Sequence, residues 1–395
     1  MLFLTAQRDA VWKSRLDERF RALRGCAALT VNLAHYQYIG FLPAVPVLKY
    51  SAQLPVMLFF FLSSFLLSHS LTCAPEWSSR KLLAVGNYAI NRLFRIFPLL
   101  IVVVTLCYWR GLAFFPPSAT YVEALQTSLT LGKAPSVLWT IPVELTFYIY
   151  LPVFLTILLR LTRSRLGAAA LTAVFLAWCV GIAFARRFDA APAPWMTLGF
   201  HHYANSFVGG VLLYALLRNN HVAFPKAGAA IAYAAPAVFV MAAPFFYYAI
   251  FNRDFGMSEL SDLAAWRSYY DNIFPFAPLV VGGLVYGLLH PSETFLSRIM
   301  RTRLLRRSGE LSFGVYLLHI PMIDLIGSRY GYGELQFAAA IAATFVLAGL
   351  LSRVVETPAI ALGRKIGRSL LGSGVCRYPT PRPSPASASA LSPSR

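Results

Sequence analysis

Apolar runs of about twenty residues recur along this chain, separated by short stretches rich in arginine, proline and glycine. A helix needs roughly 20 apolar residues to cross a bilayer, so the pattern predicts ten membrane spans. They lie at about 23–42, 53–72, 96–115, 137–158, 167–185, 203–217, 227–251, 273–290, 310–328 and 336–354. The first, LRGCAALTVNLAHYQYIGFL, contains polar residues and the sixth, YANSFVGGVLLYALL, is short, so these two are the weakest. The expected fold is all-α and polytopic. Residues 1–20 form a charged cytoplasmic segment, 21–365 one transmembrane domain, and 366–395 a cytoplasmic Pro/Ser/Ala tail expected to be disordered because it has little to bury. No repeat of fixed period and no soluble catalytic domain is evident.

Composition agrees with this reading: 57% hydrophobic residues and a mean hydropathy of +0.59 exceed what one soluble core could hide. A net charge of +19, from 35 Lys and Arg against 16 Asp and Glu, would suggest nucleic acid as a partner for a soluble protein. Topology explains it instead. With the N-terminus inside, 27 of the 35 basic residues fall on the inner side, and only Lys49, Arg110, Lys133, Arg186, Arg187, Arg253, Arg267 and Arg329 fall outside. That is the positive-inside asymmetry, and it predicts both termini in the cytoplasm. The opening MLFLTAQRDAVWKSRLDERF has too short an apolar start for a cleaved signal. The five cysteines are scattered without metal-ligand spacing, so neither a disulfide framework nor a metal site is expected.

Polar residues inside the spans carry the candidate chemistry, because an ionisable group in hydrocarbon is costly unless paired or used. Glu144 sits within SVLWTIPVELTFYIYLPVFL and His35 within the first span. At about 1.5 Å of rise per residue, both lie on the order of 10 Å below the outer surface. Meeting there, they would form a general-base pair, the carboxylate orienting an imidazole that takes a proton from a hydroxyl. They fit equally well as a carbonyl cap and a neutral helix–helix hydrogen bond. On the inner side, Arg92 and Arg95 in NYAINRLFRIFPLL are i, i+3 neighbours, with Pro98 placed near the start of the third span. Two guanidiniums on one face suit a phosphate or pyrophosphate, and they also suit ordinary membrane anchoring.

Six segments resemble the membrane acyltransferase 3 family, which includes O-acetyltransferases of O-antigen, exopolysaccharides and other surface glycans. RALRGCAALTVNLAHY is similar to its opening Arg-Gly followed by a histidine, here Arg24, Gly25 and His35. FFFLSSFLLS resembles a Phe-Phe-x-x-Ser-Gly-Phe segment, with Ser63 in place and Ser64 where glycine is usual. NRLFRIFP resembles Arg-x-x-Arg-x-x-Pro. LWTIPVELTFYIYLP resembles Trp-Ser-x-x-x-Glu-x-x-Phe-Tyr, keeping Trp139, Glu144, Phe147 and Tyr148 but with Thr140 for serine. LSFGVYLLHIP supplies Ser312, Tyr316, His319 and Pro321, with Phe313 for tyrosine, and VVETPAI supplies Glu356 and Pro358.

The resemblance implies transfer of an acyl group, most often acetyl, from cytoplasmic acyl-CoA to a carbohydrate hydroxyl outside a bacterial inner (plasma) membrane. The expected partners are the lipid bilayer, acyl-CoA as co-substrate and a carbohydrate acceptor such as O-antigen or exopolysaccharide, with no permanently bound cofactor and no nucleic acid. His35 and Glu144 are then the expected catalytic pair, and Arg92, Arg95 and Arg24 the expected acyl-CoA ligands. Trp139, Tyr148, Ser63 and His319 are candidate substrate or oxyanion contacts. Glu356 is expected to pair with a loop arginine, while the tandem His201 and His202 are candidate contacts at the outer interface. The rival readings are a transporter or flippase and a non-catalytic component of a polysaccharide-export complex.

Overall fold

The computed structural model describes residues 2–41, 53–74, 76–112, 118–129, 134, 136–186, 200–222, 274–289 and 298–371. Nearly all of these are helical. In chain order the helices are α1 (Leu2–Ile39), α2 (Gln53–Thr72), α3 (Glu76–Ser79), α4 (Lys81–Trp109), α5 (Tyr121–Leu129), α6 (Thr140–Leu161), α7 (Arg165–Arg186), α8 (Phe200–Arg218), α9 (Ala277–Leu289), α10 (Arg303–Glu310), α11 (Ser312–Tyr330), α12 (Glu334–Leu351) and α13 (Thr357–Leu371). A 3-10 turn, Ser136–Trp139, leads into α6, and a π turn, Ser352–Glu356, joins α12 to α13.

Among the described residues, five helical stretches are long and apolar enough to cross a membrane, and a sixth joins them if α10 and α11, which meet at 78°, count as one span. The protein is therefore a multi-pass helical membrane protein. Exposed side chains such as Val174, Val180 and Phe184 on α7 and Ile149 and Val153 on α6 are apolar, as a lipid-facing surface requires. Three of the remaining expected spans coincide with helices of other character. The first falls on α1 up to Ile39, where that helix ends, and the same helix also runs through the charged start of the chain; the sixth is α8; and the eighth contains α9, only 13 residues long. The expected span 227–251 lies outside the described residues. Helix α8 packs against α2, α6 and α9, so its buried Asn205 and Ser206 face protein rather than lipid.

One boundary differs from expectation. Helix α4 starts at Lys81 rather than near residue 96, and Pro98 lies in its interior rather than at its N-terminus. Between Lys81 and Pro98 there is no proline, and the Lys, Leu, Ala and Arg residues of the approach outweigh the weak Gly86–Asn87 pair, so the helix runs on through it. Arg92 and Arg95 are consequently held on a continuous helix, not on a flexible approach.

Close packing explains two small-residue positions. A Cβ on Gly210 of α8 would collide with the Ser64 hydroxyl and the Phe61 carbonyl of α2, so Gly210 leaves the room that Ser64 takes. Ser64 in turn satisfies its own hydroxyl by donating to the Phe61 carbonyl at 2.8 Å. At the α1–α10 crossing, a Cβ on Gly25 would meet the Leu305 carbonyl and lie 2.9 Å from the Gly309 nitrogen, while one on Gly309 would meet the Arg21 carbonyl. Ion pairs Glu18–Arg306 (2.9 Å) and Arg21–Glu310 (3.0 Å) flank that crossing.

Candidate active site

Helices α1, α2, α4, α6 and α11 enclose a cavity of about 220 Å³. Arg24 enters it from α1, Arg92 and Arg95 from α4, Glu144 and Tyr148 from α6, Ser63 and Ser70 from α2, and Ser312 and Tyr316 from α11. The local reasons are simple. Gly25 lets α1 press against α10, and its neighbour Arg24, turned about 100° around the helix, enters the cavity. Arg92 and Arg95 share a face of α4 because they stand one turn apart. Tyr88, one turn earlier, ties α4 to α6 through a 3.4 Å hydrogen bond to the Tyr148 carbonyl.

Electrostatically the cavity is an unfinished site. Arg24 lies within Coulombic reach of Arg95, Arg92 and Glu144, yet none of the three arginines forms an ion pair with a described carboxylate. The Nε of Arg92 is buried and has no hydrogen-bond partner among the described residues. Donors of this kind, left unpaired in a partly dry pocket, are costly unless an anion completes them. Behind Arg95, and within its Coulombic reach, stands Glu356, which is only 6% exposed and leaves its Oε2 unpartnered. Glu356 was expected to pair with a loop arginine. The π turn at Ser352–Glu356 instead rotates it inward, toward Arg95 on the α4 helix.

Glu144 and His35 do not meet. Glu144 accepts a hydrogen bond from the Tyr148 hydroxyl, one turn further along α6, and faces the arginine cavity. His35 Nδ1 lies 2.9 Å from the Val31 carbonyl, and its ring lies against that of His319, with centroids 4.9 Å apart. The depth argument located both residues along the membrane normal but said nothing about which way each helix turns them. Along α1, Arg24 and His35 are separated by three helical turns, so they share a face and stand about 16 Å apart.

The other candidates separate in the same way. Ser63 and Tyr148 line the cavity. Trp139 is not part of its lining and packs instead against Tyr203 (4.8 Å between ring centroids) and the edge of Phe60 (6.2 Å). His319 is fully buried, one turn from cavity-lining Tyr316, and its Nδ1 lies 2.6 Å from the Tyr316 carbonyl. The side chains of His201 and His202 lie outside the described residues. The sequence reading passed over Ser70, Ser312 and Tyr316 as cavity residues. Tyr316 was signalled by its spacing, four residues from Ser312 and three from His319, which puts all three on one helical face.

Comparison with known proteins gives the site a setting. A family model described as an acyltransferase domain, acyltransferase 3, matches residues 17–353. Among curated proteins, the peptidoglycan O-acetyltransferase OatA of Listeria monocytogenes is 24% identical over 335 residues, covering 77% of this chain. The chain spans about half the length of that relative, since the match covers 50% of it. No solved structure matches the chain.

Proposed function

The chain belongs to the acyltransferase 3 family, and on that premise we propose that it moves an acetyl group from cytoplasmic acetyl-CoA to a carbohydrate hydroxyl outside a bacterial plasma membrane. One observation carries the donor side: three arginines, one with a buried unpartnered Nε, converge on a single cavity. Coenzyme A presents a pyrophosphate and a ribose phosphate, and guanidinium forks bind such groups with two parallel hydrogen bonds. The distribution of basic residues supports a cytoplasmic position for this end of the bundle.

From that anchor the thin pantetheine arm is directed along α1 toward His35, past Ala28 and Val31, whose side chains are packed in the core while the cavity is empty. There the imidazole Nε2 takes the proton of the acceptor hydroxyl, and the oxygen attacks the thioester carbonyl. The carbon–sulfur bond breaks, and the leaving thiolate recovers the proton. General-base help of this kind is typically worth about 10²–10⁴-fold. Ser63 and Tyr148 contact the donor from the cavity wall. Glu144 orients the Tyr148 hydroxyl and offsets part of the arginine charge when the cavity is empty.

The relative's name supports a glycan acceptor and acetyl as the group moved. Family membership favours an enzyme over a transporter or an export scaffold. The test uses membrane vesicles from producing cells, given radiolabelled acetyl-CoA, followed by mass spectrometry of glycans and lipids. Label in an alkali-labile ester on glycan is expected. Label found in lipid alone would overturn the acceptor class, and no transfer at all would overturn the function.

A further inference from the structure

One side chain touches both the arginine cavity and the histidines. Tyr316 lines the cavity one turn beyond Ser312, and its ring stands 5.6 Å from that of His319, which in turn lies 4.9 Å from that of His35. A hydrogen bond fixes Tyr316 there: its hydroxyl donates to the Val137 carbonyl at 2.9 Å, in the 3-10 turn ahead of α6, and the Thr140 hydroxyl donates to the same oxygen at 3.3 Å. A phenylalanine would fill the same space, so the hydroxyl adds the tie between α11 and that turn. On the α1 side, Ala28 and Val31 have no exposure and do not line the cavity, which stops short of His35. The helix that carries Tyr316 is weak on both sides of it. It begins at the 78° break from α10, and Pro321 lies in its interior. Proline has no N–H to give the Leu317 carbonyl and its ring crowds that carbonyl, so a helix bends most readily there.

We propose that Tyr316 is the gate of the donor cavity. Tied to Val137, it keeps the arginine end apart from the histidines, and the thioester arm reaches His35 when segment 312–321 turns Tyr316 aside. The inference rests on the reading of the arginines as donor ligands and of His35 as the base. Its consequence is chemical, because a thioester held beside a base is open to water. The water gives a proton to His35 Nε2, its oxygen attacks the carbonyl, the carbon–sulfur bond breaks and the thiolate takes the proton, leaving acetate and coenzyme A. A closed Tyr316 holds off that loss, as lids over reactive groups do. Tyr316 is thus a positioning residue, which makes and breaks no bond of the substrate.

The test uses the full chain in nanodiscs, with coenzyme A titration and with release of labelled acetate from acetyl-CoA in the absence of acceptor. Tyr316→Phe keeps the ring and removes the tie, so hydrolysis should rise about tenfold while coenzyme A affinity stays within about twofold of wild type. Pro321→Ala restores the backbone bond to Leu317 and stiffens α11, so glycan transfer in the vesicle assay should fall about fivefold with coenzyme A affinity unchanged. Alanine favours a helix, so this second variant serves where Tyr316→Phe is unstable. A tyrosine that only packs the core predicts no rise in hydrolysis, and a proline that only shapes the helix predicts unchanged transfer. Either result, with coenzyme A bound normally, would overturn the gate. Loss of coenzyme A affinity in Tyr316→Phe would overturn it too, by making Tyr316 a donor contact. A wild-type protein that binds no coenzyme A would overturn the donor reading, and the gate with it.

Discussion

The α1–α10 crossing allows a sharp test of how Arg24 is held. In Gly309→Ala the new Cβ falls on the Arg21 carbonyl, with the Arg21 Cα at 3.1 Å, so it meets backbone that cannot rotate away. Restoring ordinary contact requires the two helices to separate by roughly 1 Å or more, and overpacking of this kind costs about 1–3 kcal/mol. The upper part of that range is expected, because the new methyl strikes main chain, which cannot give way as a flexible side chain would. Separation also strains the flanking Glu18–Arg306 and Arg21–Glu310 pairs, but these are half exposed and contribute little. Arg24 lies three residues from Arg21 on the same helix and moves with it, so acetyl-CoA binding should weaken about tenfold, equivalent to roughly 1.4 kcal/mol. The control is Gly349→Ala on α12, where a Cβ meets only Leu311 Cδ1 at 3.9 Å. There alanine should be neutral or stabilising, since glycine inside a helix costs about 0.5–1 kcal/mol. Thermal unfolding in nanodiscs and calorimetric titration with coenzyme A read both effects. If Gly309→Ala unfolds and binds like Gly349→Ala, the close crossing is not what positions Arg24.

Three further outcomes follow from the site and its surroundings. Arg92→Lys and Arg95→Lys should each weaken coenzyme A binding, because a point charge loses the planar two-pronged contact; unchanged affinity in both, by titration in nanodiscs, would remove the clamp. Glu144→Gln should tighten coenzyme A binding a few-fold by removing a negative charge beside the arginines, whereas Tyr148→Phe, which deprives Glu144 of its donor, should lower stability by about 1–3 kcal/mol; unaltered affinity and melting temperature would contradict this placement of Glu144. At the start of α5, the Thr120 backbone N–H and hydroxyl donate to Glu123 at 2.8 and 2.9 Å and hold its carboxyl below the usual range, while the Glu123 N–H donates back to the Thr120 hydroxyl at 3.2 Å. Because the folded pKa is depressed, this cap is intact above the ordinary carboxylate value of about 4.3 and is lost as pH falls through the lower folded value; amide protection of residues 121–124 should drop on acidification, Thr120→Ala, which keeps the backbone N–H donor, should reduce that pH dependence, and Glu123→Gln should abolish it.

The helices and their chemistry were legible to different degrees. Apolar runs gave α2, α6, α7, α11 and α12 nearly at their observed limits, because hydrocarbon demands length and apolarity together. The Lys81 start of α4 was hidden, since a hydropathy reading ends where polarity begins while a helix continues until something breaks it. The sharp turn between α10 and α11 was equally hidden, as Glu310, Leu311 and Ser312 contain neither proline nor glycine. Ser64 looked like a departure beside the site, yet it is accommodated by Gly210, which lies 146 positions further along the chain and which no local pattern could connect to it.

The failure to pair Glu144 with His35 shows which kind of inference a membrane sequence permits. Counting residues from the interface fixes depth, since rise per residue is constant, but each residue also turns the side chain by about 100°. Two residues on different helices therefore share a depth without sharing a cavity, and the orientation of each helix is set by its neighbours. Two residues on one helix escape that ambiguity. Arg24 and His35 differ by three turns, a whole number that returns the side chain to nearly the same face, so their separation and common direction follow from covalent geometry alone. The same holds for Arg92 with Arg95 and for Tyr316 with His319, which are the relations the structure retains. Within the proposed function, α1 then acts as a ruler between the anion-binding end and the base. Its straightness between Arg24 and His35, where no proline or glycine follows Gly25, sets how far the thioester of a bound donor can stand from its phosphates.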